Sequence, residues 1–205
     1  MNSGDYIWQA LDALEAGQAN SADDELQRHG KSLDLMEHAC REVAGLEQLV
    51  RRYGASTNPV LLRPLSFLLA VAADHLKEPD PAKWIIDVVT GLQCNDATTR
   101  VNLLTALHRL AIAERLVPAE GPPPGGLLSF VERSLHGDDM EQSAALGVLM
   151  CLHEDGLLGR FHDEETSRLR ATLSGMRPPD EEIRLDLEAL RSFFADESQA
   201  KSGDR

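Results

Sequence analysis

The sequence predicts an all-α protein, and three observations lead to that prediction. Of 205 residues, 32 are leucine and 23 are alanine, whereas valine, isoleucine and threonine together number only 22, a composition that favours helix over strand. Apolar residues recur at spacings of three and four, which is the period of an amphipathic helix. The main clusters of proline and glycine fall between these apolar stretches and mark where helices end. A chain of this length can form one domain with a core of useful size.

The first 54 residues are predicted to form helices that cap one end of the protein. We expect a first helix over residues 5–16, and a short second helix after Ser21, a good N-cap residue that acidic residues follow. A longer amphipathic pattern covers residues 33–53 and ends at Gly54. Ten acidic and three basic residues lie within residues 1–50, which suits a polar end to the fold.

Three further helices are predicted before a proline-rich loop. The first carries a leucine stripe over residues 61–76 and has to end before Pro79. Asp80, followed by proline, suits the start of the second helix, and Asp96 suits the N-cap of the third. The next segment, residues 117–126, contains four prolines and three glycines, so it is predicted to be a surface loop.

Four more helices are predicted in the C-terminal part of the chain. The first two carry apolar stripes over residues 127–135 and 145–150, on either side of a Gly-Asp-Asp turn. Asp163 suits the start of the third, and a Pro-Pro-Asp break precedes the last, which contains residues 183–194. The remaining residues, 196–205, are small and polar, and we expect them to form a flexible tail.

The helices after residue 54 alternate as pairs with a regular spacing. Each second helix carries a Leu-x-x-Leu core, and successive cores are 39, 42 and 41 residues apart. A two-helix unit near forty residues is the period of an α-solenoid. The cores are Leu65/Leu68, Leu104/Leu107, Leu146/Leu149 and Leu187/Leu190.

One stretch resembles the HEAT and armadillo-like helical repeats. Residues 92–107 combine a turn Asp96, a following Arg100-Val101 and a small-Leu pair at Ala106-Leu107. The other units keep the leucines but have Gln142 or Ser143, and Ile183 or Arg184, where that arginine stands. The resemblance covers about residues 58–194 and implies a right-handed stack of about four antiparallel helix pairs over residues 55–195. An irregular helical bundle is the second hypothesis.

The composition also indicates which environments and partners to expect. With 34 acidic against 20 basic residues, the formal charge is −14, and no basic face for direct nucleic-acid binding is evident. The first residues lack the basic and apolar pattern of a signal peptide, and the longest apolar uncharged stretches, residues 64–73 and 142–153, are too short to span a bilayer. Cys40, Cys94 and Cys151 are too far apart for a disulfide framework or a zinc site. A cytoplasmic protein with no membrane partner is therefore expected.

Candidate catalytic or metal-binding residues have simpler interpretations. His153 and His162, each followed by carboxylates, would bind a metal if the chain between them folded back. Their spacing matches no recognised ligand set, so a solvated helix end and a solvated helix start are the preferred interpretation. Glu132 and His136 are four residues apart and form either an exposed pair or a general-base pair. We therefore predict no catalytic residue, no metal and no cofactor.

Acidic residues near turns and helix starts are the candidate partner-binding site. N-capping explains each cluster alone, whereas in a stacked array the clusters would join into one negative ridge that attracts a basic protein. The functional hypothesis is a non-enzymatic protein-binding module, most concretely a bacterial immunity or antitoxin-like protein that masks a basic toxin. The alternatives are a metal-dependent hydrolase that uses His153 and His162, or a DNA-mimicking regulator. The candidate residues are Asp138, Asp139, Glu141, Glu154, Asp155, Asp163, Glu164, Glu165, Glu181 and Glu182.

Overall fold

The computed structural model describes residues 3–17, 48, 58–76, 81–91, 96–178 and 181–203, and these residues form helices and turns without a strand. The all-α prediction is confirmed for this part of the chain. The helix predicted after Ser21 lies outside it, and so does the helix predicted over residues 33–53 except for residue 48. The described α-helices are α1 (Ser3–Glu15), α2 (Pro59–Ala72), α3 (Pro81–Gly91), α4 (Ala97–Ile112), α5 (Leu127–Ser134), α6 (Asp139–Glu154), α7 (Asp163–Gly175) and α8 (Glu181–Gly203).

Local capping residues begin two of these helices where the sequence predicts. The Asp96 carboxylate accepts a hydrogen bond from the Thr99 backbone N–H at 2.9 Å, so Asp96 is the N-cap of α4. Asp138 caps α6 in the same way, by accepting from the Glu141 N–H at 2.9 Å. These bonds satisfy backbone donors that the first turn of a helix leaves without a partner. The predicted loop over residues 117–126 is also non-helical.

The last helix is longer than the sequence predicts. The predicted tail begins at residue 196, and α8 continues through it to Gly203. The segment between these positions includes Glu197, Gln199, Ala200 and Lys201, which have good helix propensity. Neither proline nor glycine interrupts the chain before Gly203, so its polarity alone does not end the helix.

The core lies between two sets of helices. α2 packs against α4, α4 against α6, and α6 against α8, while α3, α5 and α7 cover the other side of these contacts. α1 packs against α2. All eight leucines of the Leu-x-x-Leu cores are buried, and most of the described core is Leu and Ala. Burial of these side chains is the main stabilising term available to a chain with so few aromatic residues.

Polar contacts also join successive helices at both ends. At the start of α4, Asp96 accepts from Arg63 of α2, with Nη2 and Oδ1 2.6 Å apart. Near the end of α4, Arg109 Nη1 donates to the Val71 carbonyl of α2 at 3.0 Å. The Arg115 guanidinium, just past α4, donates to the backbone carbonyls of Asp74 and Leu76 at 2.8 and 2.6 Å. Arg109 and Arg115 thus satisfy backbone carbonyl groups at the end of α2 and in the turn that follows it.

Candidate interaction surface

The structure divides the candidate acidic residues between the two ends of α6. The start group contains Asp138 and Asp139, at the start of α6, and Glu181, at the start of α8. The end group contains Glu154, Asp155, Asp163, Glu164 and Glu165, where α6 ends and α7 begins. Because α6 has 16 residues, its two ends are separated by ~24 Å. The acidic residues of α6 therefore do not form one continuous cluster.

Glu141, one of the candidate residues, is an internal group. It is 1% exposed, and both carboxylate oxygens accept from Arg100 of α4, the Oε2 atom at 2.9 Å from Nε. The carboxylate also lies against Gly137, where an added Cβ would be 2.1 Å from Oε2. A larger residue at position 137 would displace this carboxylate. Glu141 therefore joins α4 to α6 and is not available to a partner.

Two of the three start-group residues, Asp138 and Glu181, have intramolecular roles. Asp138 caps α6, whereas Asp139 is exposed. Glu181 is exposed and accepts from Arg184, which lowers the pKa of this carboxyl below its usual range. The same arginine donates to Glu188 at 2.7 Å. The side chain of Glu182 lies outside the described residues.

The end group is more accessible to a partner. Glu154, Asp155, Asp163 and Glu164 are exposed, and Glu165 is half-buried. Within the described residues, Glu154, Asp155 and Glu164 form no ion pair with a lysine or arginine. The local field is visible at Cys151, whose pKa is raised by burial and then by the charges of Glu154 and Asp155.

Two arginines that contact the neighbourhood of α7 are engaged within the molecule: Arg160 lies just before the start of α7, beside the end group, and Arg191 binds at the opposite end of that helix. Arg160 donates to the Gly121 carbonyl at 2.8 Å, which holds the proline-rich loop. Arg191 of α8 donates to the Leu173 carbonyl at 2.9 Å and to the Met176 carbonyl, at the end of α7. Because these guanidinium groups bind backbone carbonyls, they do not pair with the exposed carboxylates of the end group.

The candidate catalytic and metal-binding residues have structural contacts. The His153 ring packs against Phe193 of α8, with ring centroids 4.9 Å apart, while His162 is exposed at the N-cap position of α7. No group of three or more His, Cys, Asp or Glu side chains in the described ranges is arranged to hold a metal ion. Glu132 accepts from the Thr172 hydroxyl at 3.2 Å, so it links α5 to α7. None of the described helices is long and apolar enough to cross a bilayer.

Sequence reasoning did not identify two features of this surface. It did not predict that Glu141 pairs with Arg100, because the two residues are 41 positions apart and only packing brings them together. It also did not single out the exposed apolar residues, of which Met140 lies between two acidic residues in the sequence. Leu185 offers a signal, because it falls outside the buried stripe of Ile183, Leu187 and Leu190.

Comparisons with known proteins return no relatives: no family model matches the chain, and neither a curated protein nor a solved structure is significantly similar to it. The contacts, burial and charges of its own residues are therefore the basis for a functional proposal.

Proposed function

We propose that this protein is a non-enzymatic binding module whose end group engages a basic protein partner. One observation carries the proposal: within the described residues, the exposed carboxylates of Glu154, Asp155 and Glu164 form no ion pair with a lysine or arginine, whereas Arg160, between them in the sequence, donates to a backbone carbonyl. An uncompensated negative surface accelerates encounter with a positively charged protein. An immunity protein that masks a basic toxin is the concrete form of this proposal.

We further propose that the helices stack as pairs, as in HEAT and armadillo-like repeats. Support comes from hydrogen bonds between residues about one repeat apart: Arg115 to Leu76 spans 39 positions, Thr172 to Glu132 spans 40, and Arg100 to Glu141 spans 41. These bonds connect starts of helices with starts and ends with ends, as expected when equivalent parts of successive units lie side by side. In such a stack the end group would lie along one edge.

A charge-neutralised variant tests the protein-binding proposal. The full chain is used to capture partners from its native cells, and the association of the purified partner is then timed. Replacing Glu154 and Glu164 with Gln and Asp155 with Asn removes three unpaired carboxylates. We expect association to slow by about tenfold at low salt, with a weaker salt dependence, because electrostatic steering is reduced.

The matched control removes the same charge from paired carboxylates. Asp87 pairs with Lys83 at 2.7 Å, and Glu181 and Glu188 both pair with Arg184. Neutralising these three residues should change the association rate much less than neutralising the end group does. An equal effect of both triple variants, or a captured partner without a basic surface, would contradict the proposal.

A further inference from the structure

Two arginines from different helices converge on Ser129. Arg133, in the last turn of α5, donates from Nε to the Ser129 carbonyl of its own helix at 3.3 Å. Arg168, in the middle of α7, reaches across to α5, where its Nη2 donates to the Ser129 hydroxyl at 3.5 Å. Both arginines are exposed, and Ser129 is half-buried. We call these three residues the arginine site.

The packing of α5 against α7 brings the two arginines together. Arg168 contacts Ser129, and one turn further along Thr172 donates to Glu132 at 3.2 Å. Because residue numbers rise together in these two pairs, the helices run parallel. A long side chain on a helix leans toward the N-terminus of that helix, so Arg133 is directed back to the level of Ser129. Arg168 reaches the same level from α7.

No carboxylate of the described residues balances the charge of the arginine site. Neither Arg133 nor Arg168 forms an ion pair within that part of the chain. Their partners on Ser129 are a carbonyl and a hydroxyl, which carry no charge. The chain has 34 acidic and 20 basic residues, and other exposed arginines, such as Arg63 and Arg184, do pair with carboxylates. The dipole of α5 favours a cation at its C-terminal end, but it does not explain the arginine in the middle of α7.

The Ser129 hydroxyl supplies a further donor to the site. The hydroxyls of Ser134 and Ser143 donate to carbonyls of their own helices. The Ser129 hydroxyl instead accepts from Arg168, and within the described residues it donates to no protein atom. A hydroxyl can accept and donate at the same time, so its proton is available to a ligand.

The acidic residues around the site limit the size of that ligand. Glu132 is half-buried and accepts from the Thr172 hydroxyl. Glu164 and Glu165 lie one turn before Arg168 on α7. These carboxylates repel an extended polyanion such as a nucleic-acid backbone. A ligand with one compact anionic group avoids most of this repulsion.

We propose that the arginine site binds a single phosphoryl group, either as inorganic phosphate or on a phosphate monoester. A phosphate monoester carries a charge of about −1.5 to −2 at pH 7 and three acceptor oxygens, which match two guanidinium groups and one hydroxyl. The planar donors of arginine fit this oxyanion well. A carboxylate has one charge and two oxygens, so it would leave one arginine uncompensated. The site does not include the end group, so this inference and the proposed function can fail separately.

Titration of the full chain with inorganic phosphate, phenyl phosphate and acetate, at constant ionic strength and neutral pH, tests the inference. The arginine Nε–H signals in NMR spectra report binding. We expect saturable shifts of the Arg133 and Arg168 signals, and binding of phosphate about tenfold tighter than that of acetate. Saturation by both phosphate compounds supports the inference, and so does saturation by phenyl phosphate alone, which would assign the site to a monoester.

Charge-matched variants separate this site from general attraction of anions. Arg133→Gln and Arg168→Gln should each weaken binding by about fivefold or more, whereas Arg177→Gln, which removes another exposed arginine, should leave it unchanged. An equal loss in all three variants, or shifts no larger than those with acetate, overturns the inference. A short DNA duplex that binds these arginines more tightly than phenyl phosphate does would also overturn it. The wild-type signals identify the arginines that respond, so the test does not depend on the stability of any variant.

Discussion

The ends of α4 and α6 have the same backbone conformation, but different residues adopt it. After α4, the Arg115 N–H donates to the Leu110 carbonyl at 2.7 Å, and the intervening Glu114 has a positive φ of 55°. After α6, Leu157 donates to Leu152 at 2.8 Å around Gly156, with a φ of 67°. Both are left-handed helix ends that favour glycine. Only Gly156 can be recognised from sequence, since a glutamate gives no signal of a left-handed residue.

Glu114→Gly should therefore stabilise the protein. The left-handed conformation costs a residue with a Cβ about 1–2 kcal/mol, and the added freedom of glycine in the unfolded chain offsets about 0.5–1 kcal/mol of that gain. We expect the free energy of unfolding in urea to rise by about 0.5–1 kcal/mol. The reciprocal change, Gly156→Ala, should lower it by a similar amount. A decrease for Glu114→Gly would show that the glutamate side chain stabilises this turn.

At the level of helices, Asp96 makes the contact between α2 and α4 depend on pH. Hydrogen bonding from Arg63, and then from Thr99, lowers the pKa of its carboxyl from 3.8 to about 2, against the opposing effect of burial. A carboxyl whose pKa is lower in the folded state stabilises the fold above its unfolded pKa. That contribution is lost as the pH falls from about 4 to about 2. Arg63 is 57% exposed, so solvent screening keeps the contribution modest.

Asp96→Asn isolates this charge, because asparagine is an equally good N-cap residue. We expect the variant to be about 1–2 kcal/mol less stable than the wild type at pH 6. The difference should shrink steeply as the pH falls to about 2, where the Asp96 carboxyl is half protonated in the folded state, and should disappear below that pH. Urea unfolding at several pH values measures it. A difference that stays constant across this range would mean that the cap geometry, rather than the ion pair with Arg63, is affected.

The elements that sequence reasoning predicts well are those with local causes. Asp96 and Asp138 begin helices through hydrogen bonds to residues three positions away, so a short stretch of sequence contains the whole signal. The end of α8 and the burial of Glu141 have no such signal. Glu141 follows an N-cap, where an exposed acidic residue is ordinary, and only its pairing with Arg100 of α4 makes it internal. For the same reason, the candidate acidic site was only partly predictable.

Along the series α2, α4, α6 and α8, the contacts between neighbouring helices change from ion pairs to a ring contact and hydrogen bonds to backbone carbonyls. Ion pairs join α2 to α4 and α4 to α6, through Arg63 and Arg100. In α6, Gln142 occupies the position relative to the N-cap that Arg100 has in α4, and it donates to the Gly137 carbonyl of its own turn at 3.0 Å. α8 instead contacts its neighbours through Phe193, which packs on His153, and through Arg191, which donates to the end of α7. The described contacts thus attach α8 without a buried ion pair to α6.

This difference predicts that α8 opens before the middle of the molecule. In a protein whose units contact mainly their neighbours, a terminal unit with weaker contacts unfolds in a separate, lower-energy step. Native-state hydrogen exchange should therefore give lower opening free energies for the amides of α8 than for those of α4. Arg191→Met, which keeps an apolar stem but removes the donors to the α7 carbonyls, should lower the α8 value by a further ~1–2 kcal/mol and leave α4 unchanged. Equal opening free energies for both helices, or an equal loss in both on substitution, would mean that the described helices unfold as a single cooperative unit.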